Sequence, residues 1–512
     1  MKRILSLVIA LAMLLGCTSA LAADKNLDVF IWYRDIDDLN FDEMRFYAGE
    51  EGIEAKTGIH ADFTKVPGSE WQTKLNLMFA SDYPDIIMRG NGADFVETYG
   101  VDQKLLIPLD DYIPQYMPTY AARLEADPDL ADIMRSSDGK TYYIGWLIPQ
   151  NINVESHLFI NKAWLDNLGL EMPKTLSEYE AVLHAFKEQD ANGNGDLNDE
   201  IPFTGSFNSG VDGMTHLLSF WGVPYNTNFI SIGDDGKVTS PLLAEGLRDA
   251  LSTLNQWYQE GLIDVEAVAQ DSNALEAKVN AGNSGSFWRW RMKAMGTDDA
   301  VVEQYECIVP VAAEGYTAVV PKYLEIPAFG AALTIACEDI EAALTWLDAQ
   351  LEFETMVTSY NGYQGDADSS SFWDYDENGK VDITMTSTNM AVPGQSGMFY
   401  MAGKEYFDLV NMPVQRVEKS DYCAMYTEAG VIEENSYHLL TKVAKLNVQE
   451  TEEATLLQAE IQKFADESFV KFITKGIADA DWDNYVKTLD SLRINDYIAI
   501  YQGAYDRVAA AE

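Results

Sequence analysis

Three short apolar runs set apart by helix-length intervals constrain the fold more than any other feature of this chain. Leu27 to Tyr33 is rich in β-formers, and Ala61 to Val66 and Ile86-Ile87-Met88 follow it. Between the first two, Asn40-Phe-Asp-Glu43 is a capping-box pattern that opens a helix ending near Gly58. Between the second and third, a helix is predicted from about Glu70 to Ala80, and Pro84-Asp85 introduces the last run. Strands alternating with helices predict an α/β fold with a parallel sheet and right-handed crossovers. Ligands of such sheets bind beyond the carboxyl ends of the strands. That places Trp32, Tyr33, Arg34 and Arg89-Gly90-Asn91 at a candidate binding edge.

The chain has 512 residues, enough for two or three domain-sized units, and shows no internal repeat or low-complexity linker. Tyr142-Tyr-Ile-Gly-Trp146 leads into an extended run to Ile160, as expected of a segment crossing between lobes. A short helix from Trp164 to Leu168 stops at Gly169, and Thr175-Leu-Ser-Glu178 opens another with Leu176, Tyr179, Leu183 and Phe186 on one face. Asp234-Asp-Gly236 reads as a hairpin turn. Leu243, Leu247, Leu251, Leu254 and Tyr258 mark a long helix that stops at Gly261. Helix returns beyond Ile340, the stretch from Gly362 to Thr388 is polar and loop-rich, and the chain is mostly helical from Ala424 onward.

Asp190-Ala-Asn-Gly-Asn-Gly-Asp-Leu-Asn-Asp-Glu-Ile201 carries acids and amides at alternate positions around a glycine, the pattern with which a chain wraps calcium. Asp190, Asn192 and Asn194 occupy positions 1, 3 and 5, Gly195 makes the bend, and the carbonyl of Asp196 is the expected ligand at position 7. Position 12, normally acidic, is Ile201, so Asp199 or Glu200 must substitute. The competing reading is an Asn/Gly-rich turn with solvated acids. A calcium corner here points to stability outside the cell, not to catalysis. Asp374-Tyr-Asp-Glu-Asn-Gly-Lys380 imitates the pattern, but Lys380 sits at position 7 and Met385 at position 12. It is predicted to be a hairpin turn.

Formal charge is −47, and removal of residues 1–22 would take away Lys2 and Arg3 and no acids, giving −49. Such a surface repels nucleic acid and anionic lipid headgroups, which excludes both as partners. Five histidines are few for a zinc or acid–base enzyme of this size. With 82 acids some carboxylate pair always lies at glycosidase spacing, so acid abundance carries no information. No G-x-S-x-G, H-E-x-x-H, P-loop or paired CxxC occurs.

Residues 1–22 read as an export signal, with a basic start at Lys2-Arg3 and an apolar core from Ile4 to Leu15. Leu14-Leu-Gly-Cys17 resembles a lipobox in which Cys17 would be acylated, whereas Ala20-Leu-Ala22 is an ordinary cleavage site that would release the chain. Both place the protein outside the cytoplasm, as a cell-surface lipoprotein or a secreted or periplasmic protein. Cys307, Cys337 and Cys423 are odd in number and widely spaced, so buried free thiols are expected instead of a disulfide framework.

Several segments together resemble the large oligosaccharide-binding type of bacterial extracellular solute-binding protein, family 1, of carbohydrate ABC importers. They are Trp71 to Met78 with Tyr83-Pro-Asp-Ile-Ile87, Asn161 to Leu170 through Ala185-Phe-Lys187 into the acidic loop, and Glu200-Ile-Pro202. Near the end, Phe472-Ile-Thr474, Asp481 to Val486 and Ala504-Tyr-Asp-Arg507 complete the pattern. The acidic loop is one residue longer before its Asp-Glu pair than the common family form, and Tyr360 to Gly365 follows the family's glycine turn only loosely.

The resemblance implies a two-lobe periplasmic-binding-protein-like fold of type II, with a ligand cleft between lobes, a helical C-terminal region and no catalytic activity. The lobes implied are 24–148 with 318–395, and 149–317 with 396–512, the second carrying the calcium loop. An oligosaccharide ligand, membrane permease subunits as partners and a monomeric state are expected. A sugar site needs flat aromatic faces and hydrogen-bonding side chains. Trp32, Tyr33, Trp146, Trp221 and Trp288 are the candidate aromatics, with Asn91, Arg89 and Arg291 as candidate polar contacts; core packing is the alternative for each aromatic, and neutralising neighbouring acids is the alternative for the two arginines. Trp288 and Trp290 share one side-chain parity in a strand, which allows one face to meet ligand. The competing functions are a peptide-binding importer component, a secreted polysaccharide-active enzyme or a surface glycan-binding module.

Overall fold

A computed structural model describes residues 25–33, 45–81, 83–90, 95–126, 128–145, 154, 156–207, 212–233, 235–290, 292, 299–322, 330–368, 371–385, 409–411, 414–433 and 445–509. Among these, contacts gather 25–145 and 330–374 into one unit and 154–322, 375–385 and 409–509 into a second.

In the first unit, β1 (Lys25–Tyr33) pairs in parallel with β2 (Ile59–Pro67) from Lys25↔Ile59 to Tyr33↔Pro67. On its other side β1 pairs in parallel with β3 (Ile86–Gly90). The parallel order foreseen from the strand spacing is therefore present. A returning strand, Gly330–Leu333, adds antiparallel to β3 and completes a four-stranded sheet. Leu27, Val29, Phe30 and Ile31 are buried, whereas Asn26 and Asp28 are exposed, so alternation gives way to full burial where helices cover both faces. Trp71–Ser81 (α1) provides the crossover from β2 to β3.

The single helix expected before Gly58 is two short ones, Arg45–Ala48 and Ile53–Thr57. Gly49 and Gly52 lie between them, each with backbone oxygens closer than 3 Å to where a Cβ would stand, so the chain turns tightly there. Gly58 closes the second helix at φ 70°.

The second unit is built on β4 (His157–Asn161), β5 (Ile201–Phe203), β6 (Ser284–Arg289) and β7 (Tyr305–Ile308), in the order β5-β6-β4-β7. β4 runs antiparallel to β6 and β7, while β5 runs parallel to β6. Both faces are covered. Leu158, Ile160 and Trp288 enter the larger core, and Phe159, Phe287 and Tyr305 enter a smaller one with Leu275, Val279 and Met292.

Asn161 caps the helix Lys162–Leu168 by accepting from the Trp164 amide at 3.1 Å. Thr175 caps α2 (Leu176–Glu188) through the Glu178 amide at 3.2 Å. Gly261 ends α3 (Leu247–Glu260) in the left-handed region, as its position in the sequence predicts. Against α3 lies α4 (Val448–Lys475), a 28-residue helix opened by the Asn447/Glu450 capping box. Asn255 and Gln259 of α3 donate to the Ile473 and Thr474 carbonyls, both at 2.8 Å, where α4 ends.

Two readings change. Strand Val320–Pro321 pairs in parallel with Ile432–Glu433, so residues 318–322 group with the second unit and not with the first. The polar stretch after Gly362 contains a hairpin, Ser371–Tyr375 with Val381–Met385, and only the first of these strands groups with the first unit. Its turn is closed by Asp376, whose Oδ1 accepts from the amides of Asn378 and Lys380 at 2.8 Å. Those amides hold the Asp376 carboxyl below the usual carboxylate range, which fits a turn and not a metal site. Among the described residues no helix is long and apolar enough to cross a membrane.

Candidate metal centre

The acidic loop is held at both ends by the core of the second unit. Ala191, one residue past the start, is fully buried, and its carbonyl accepts from Asn167 Nδ2 at 3.1 Å. At the far end Ile201 begins β5, and its amide donates to the Asn283 carbonyl at 2.9 Å. That strand commitment explains why position 12 is apolar. The residue before it, Glu200, is the one that can turn inward.

Between these anchors the loop bends at Gly193 (φ 72°) and Gly195 (φ 90°), and the second is where the sequence places the sharp turn. Asp190 Oδ2 accepts from the Gly195 amide at 3.0 Å, drawing position 1 across the loop to position 6. Asn192 Oδ1 accepts from the Asn194 amide at 2.9 Å, and Asn194 Oδ1 from the Asp196 amide at 2.7 Å. Each is a side chain bonding its own backbone two residues on. Asp196 Oδ1 accepts from the Asn198 amide at 3.1 Å and from Asn198 Nδ2 at 3.0 Å. Asp199 accepts from Asn192 Nδ2 at 3.3 Å and Asn194 Nδ2 at 2.8 Å.

Two carboxylate oxygens lack what the rest possess. Asp190 Oδ1 and Glu200 Oε2 are buried and receive no hydrogen bond. The partner oxygen of Glu200, Oε1, accepts from the Ala191 amide at 3.1 Å, which aims the carboxylate. Burial pushes the Glu200 carboxyl up, the charge on Asp199 adds to this, and neighbouring backbone amides oppose it. An unsatisfied buried oxygen costs about 1–3 kcal/mol, more when charged, unless a cation answers it. Oxygen-only donors suit a hard divalent cation. Asn167 and Ala191, which brace the loop, were not singled out in the sequence because their role depends on a contact between separated segments.

The candidate ligand residues fare differently. Trp32, the penultimate residue of β1, is half-buried beside Val66 of β2. Tyr33 and Arg89 are the last residue of β1 and the penultimate residue of β3, on strand ends as expected. Asn91, Trp146 and Arg291 lie outside the described residues, as does Cys17 with the export segment. Trp221 and Trp288 are core residues, 4% and 0% exposed. Trp221 packs on Phe220 and Trp257, and Trp288 lies 5.2 Å from the His216 ring. The parity argument for Trp288 fails because the sheet has no open face: every residue of β6 is buried.

The profile of bacterial extracellular solute-binding proteins matches residues 42–352, more than half of the chain. The chain belongs to this family. The fructooligosaccharide ABC transporter substrate-binding protein FusA of Streptococcus pneumoniae is 27% identical over 474 residues, spanning 90% of this chain and 86% of FusA. The FusA complex with kestose superposes with a TM-score of 0.80 at 25% identity, covering 95% of this chain and all of that one. A FusA EF-hand mutant in complex with fructo-nystose gives the same values. An HMO-binding solute-binding protein from Bifidobacterium longum infantis shares the fold at a TM-score of 0.82 and 21% identity, over 94% of this chain and 99% of that one. The two-lobe solute-binding fold and the helical C-terminal region expected from the sequence are thus present, and the family is an extracellular one.

Proposed function

We propose that the chain is the oligosaccharide-capturing component of a bacterial ABC importer, that it binds without transforming, and that its acidic loop holds a structural calcium ion. The first part is carried by the likeness to FusA along nearly the whole chain. The calcium reading is carried by the buried, unpartnered oxygens of Asp190 and Glu200. Asp190, Asn192, Asn194, the Asp196 carbonyl, Asp199 and Glu200 would hold the ion, which supplies charge neutralisation and stiffens the corner. The FusA EF-hand mutant forms a complex with fructo-nystose, which supports a stabilising role for such a loop over a ligand-binding one.

Sugar contacts are assigned to Trp32, Tyr33, Arg89, Asn91, Trp146 and Arg291, with Trp221 and Trp288 set aside as core. The working form is a monomer outside the cytoplasm, released or anchored through Cys17, delivering solute to permease subunits. A thermal-shift screen with kestose, other oligosaccharides and peptides tests the assignment. A ligand at 100 times its dissociation constant adds about 2.7 kcal/mol to stability. Stabilisation by peptides alone, or the appearance of new reducing ends during incubation with kestose, refutes the oligosaccharide-binder reading.

A further inference from the structure

Outside the acidic loop, one group of metal-ligating side chains among the described residues stands on α2, which leads into the loop, and on α3. Glu180 and His184 lie one turn apart on α2, and Glu260 is the last residue of α3. One donor atom from each lies within 4.8 Å of the others. We propose that these three residues form a second metal site, for a borderline divalent cation of the zinc class.

Three observations carry it. The first is spacing. A tetrahedral zinc with bonds of about 2.1 Å separates its nitrogen and oxygen ligands by about 3.4 Å, and His184 Nε2 stands 3.4 Å from Glu260 Oε2. The second is that Glu260 Oε2 is buried and receives no hydrogen bond, so the imidazole beside it is not aimed as a donor. A buried carboxylate oxygen with no donor is the kind of group a cation satisfies.

The third is that both carboxylates are already oriented. Trp257 Nε1 donates to Glu180 Oε1 at 2.7 Å, and Gln256 Nε2 donates to Glu260 Oε1 at 3.1 Å. Glu188 Oε1 lies 3.8 Å from His184 Nδ1, beyond hydrogen-bond distance but on the ring nitrogen that a metal bound at Nε2 would leave free. Lys187, whose Nζ bonds the Glu260 carbonyl, is the neighbouring cation and is occupied there.

One imidazole nitrogen and two carboxylates make a mixed donor set that selects zinc over calcium, whose sites are oxygen-only. All three side chains retain part of their exposure, which leaves a path for the ion and room for water as a fourth ligand. The bound ion would tie the end of α2 to the end of α3, directly before the chain enters the acidic loop.

The test is calorimetric titration with zinc chloride of protein freed of transition metals and kept in excess calcium. One zinc per chain is expected, with His184→Gln and Glu260→Gln each weakening binding about tenfold or more and Asp190→Ala leaving it unchanged. Cobalt in place of zinc should show the visible absorption of a four-coordinate site, lost in His184→Gln. Circular dichroism verifies that the variants, changed at half-buried surface positions, stay folded. Absence of zinc uptake by the wild-type chain overturns the proposal, as does wild-type affinity in His184→Gln, which would mean diffuse binding to an acidic surface. Loss of zinc uptake in Asp190→Ala also overturns it, by placing the ion in the acidic loop. Because Asp190→Ala addresses the calcium reading separately, failure of one assignment leaves the other intact.

Discussion

Asp190 and Glu200 each present one oxygen to a donor and keep the other buried and unanswered. That asymmetry leads to opposite expectations with and without calcium. In chelator-treated protein, Glu200→Gln should match or exceed the wild-type melting temperature, since the substitution removes a buried charge. With calcium restored, the same variant should melt lower than the wild type. Asp190→Ala should lose about 5–10 °C in calcium, the equivalent of a ligand held well above its dissociation constant, while kestose affinity stays unchanged. Differential scanning fluorimetry in calcium and in chelator reads both. His60 offers a pH test. Its hydrogen bond to Glu54 Oε2, 2.9 Å long, raises the imidazole above its ordinary value, with burial opposing and Asp62 assisting. A raised histidine contributes stability that is complete below the unfolded value of about 6.5 and is lost as pH rises through the folded one. The stability difference between wild type and His60→Gln should therefore shrink between pH 6 and pH 8, by a few tenths of a kcal/mol at this exposed site.

At the scale of elements, β6 decides what the tryptophan-rich run does. Leu158 faces Trp288 and Phe159 faces Phe287 across the β4–β6 ladder, so alternate residues feed two separate cores. Trp288→Ala should cost about 3–5 kcal/mol, the range for emptying a buried aromatic position. Trp288→Phe should cost distinctly less, because it keeps a ring and removes the buried Nε1 that lacks an acceptor. Chemical denaturation of the two variants measures the difference; equal losses would show that the indole nitrogen is satisfied in solution. Gly195 supplies a second element-scale case. A Cβ there meets nothing within 4 Å, so the φ of 90° is the sole obstacle. Gly195→Ala should cost about 1–2 kcal/mol through backbone conformation alone, and calcium binding should weaken with it.

Across the whole molecule, each unit has its own sheet: β1 to β3 with the strand Gly330–Leu333 in one, β4 to β7 in the other. The acidic loop is anchored in the second, through Ala191 and β5. Removing calcium should therefore raise amide exchange in α2, the loop and β5 while the β1–β2 ladder stays protected. Hydrogen–deuterium exchange with and without chelator resolves the segments. Uniform deprotection of both sheets would mean that the units unfold as one. The acidic balance, −47 over the chain, is a property of the whole surface and does not select a neutral sugar.

What the sequence determined by itself was whatever rests on neighbours along the chain. The spacing of apolar runs yields the β1–β2–β3 order, Asn161 and Thr175 mark helix starts, Gly169 and Gly261 mark helix stops, and alternating acids and amides with Gly195 shape the acidic loop. These are local preferences of backbone and side chain, legible wherever the next few residues agree. Tertiary structure alone decided matters that depend on what packs from elsewhere. Trp288 is core because the sheet is covered on both faces, Val320 belongs to the second unit because Ile432 pairs with it, and Glu200 turns inward because Ile201 is held by Asn283. In each case the partner is distant in the chain, and burial or pairing with it carries more free energy than the local pattern that suggested otherwise.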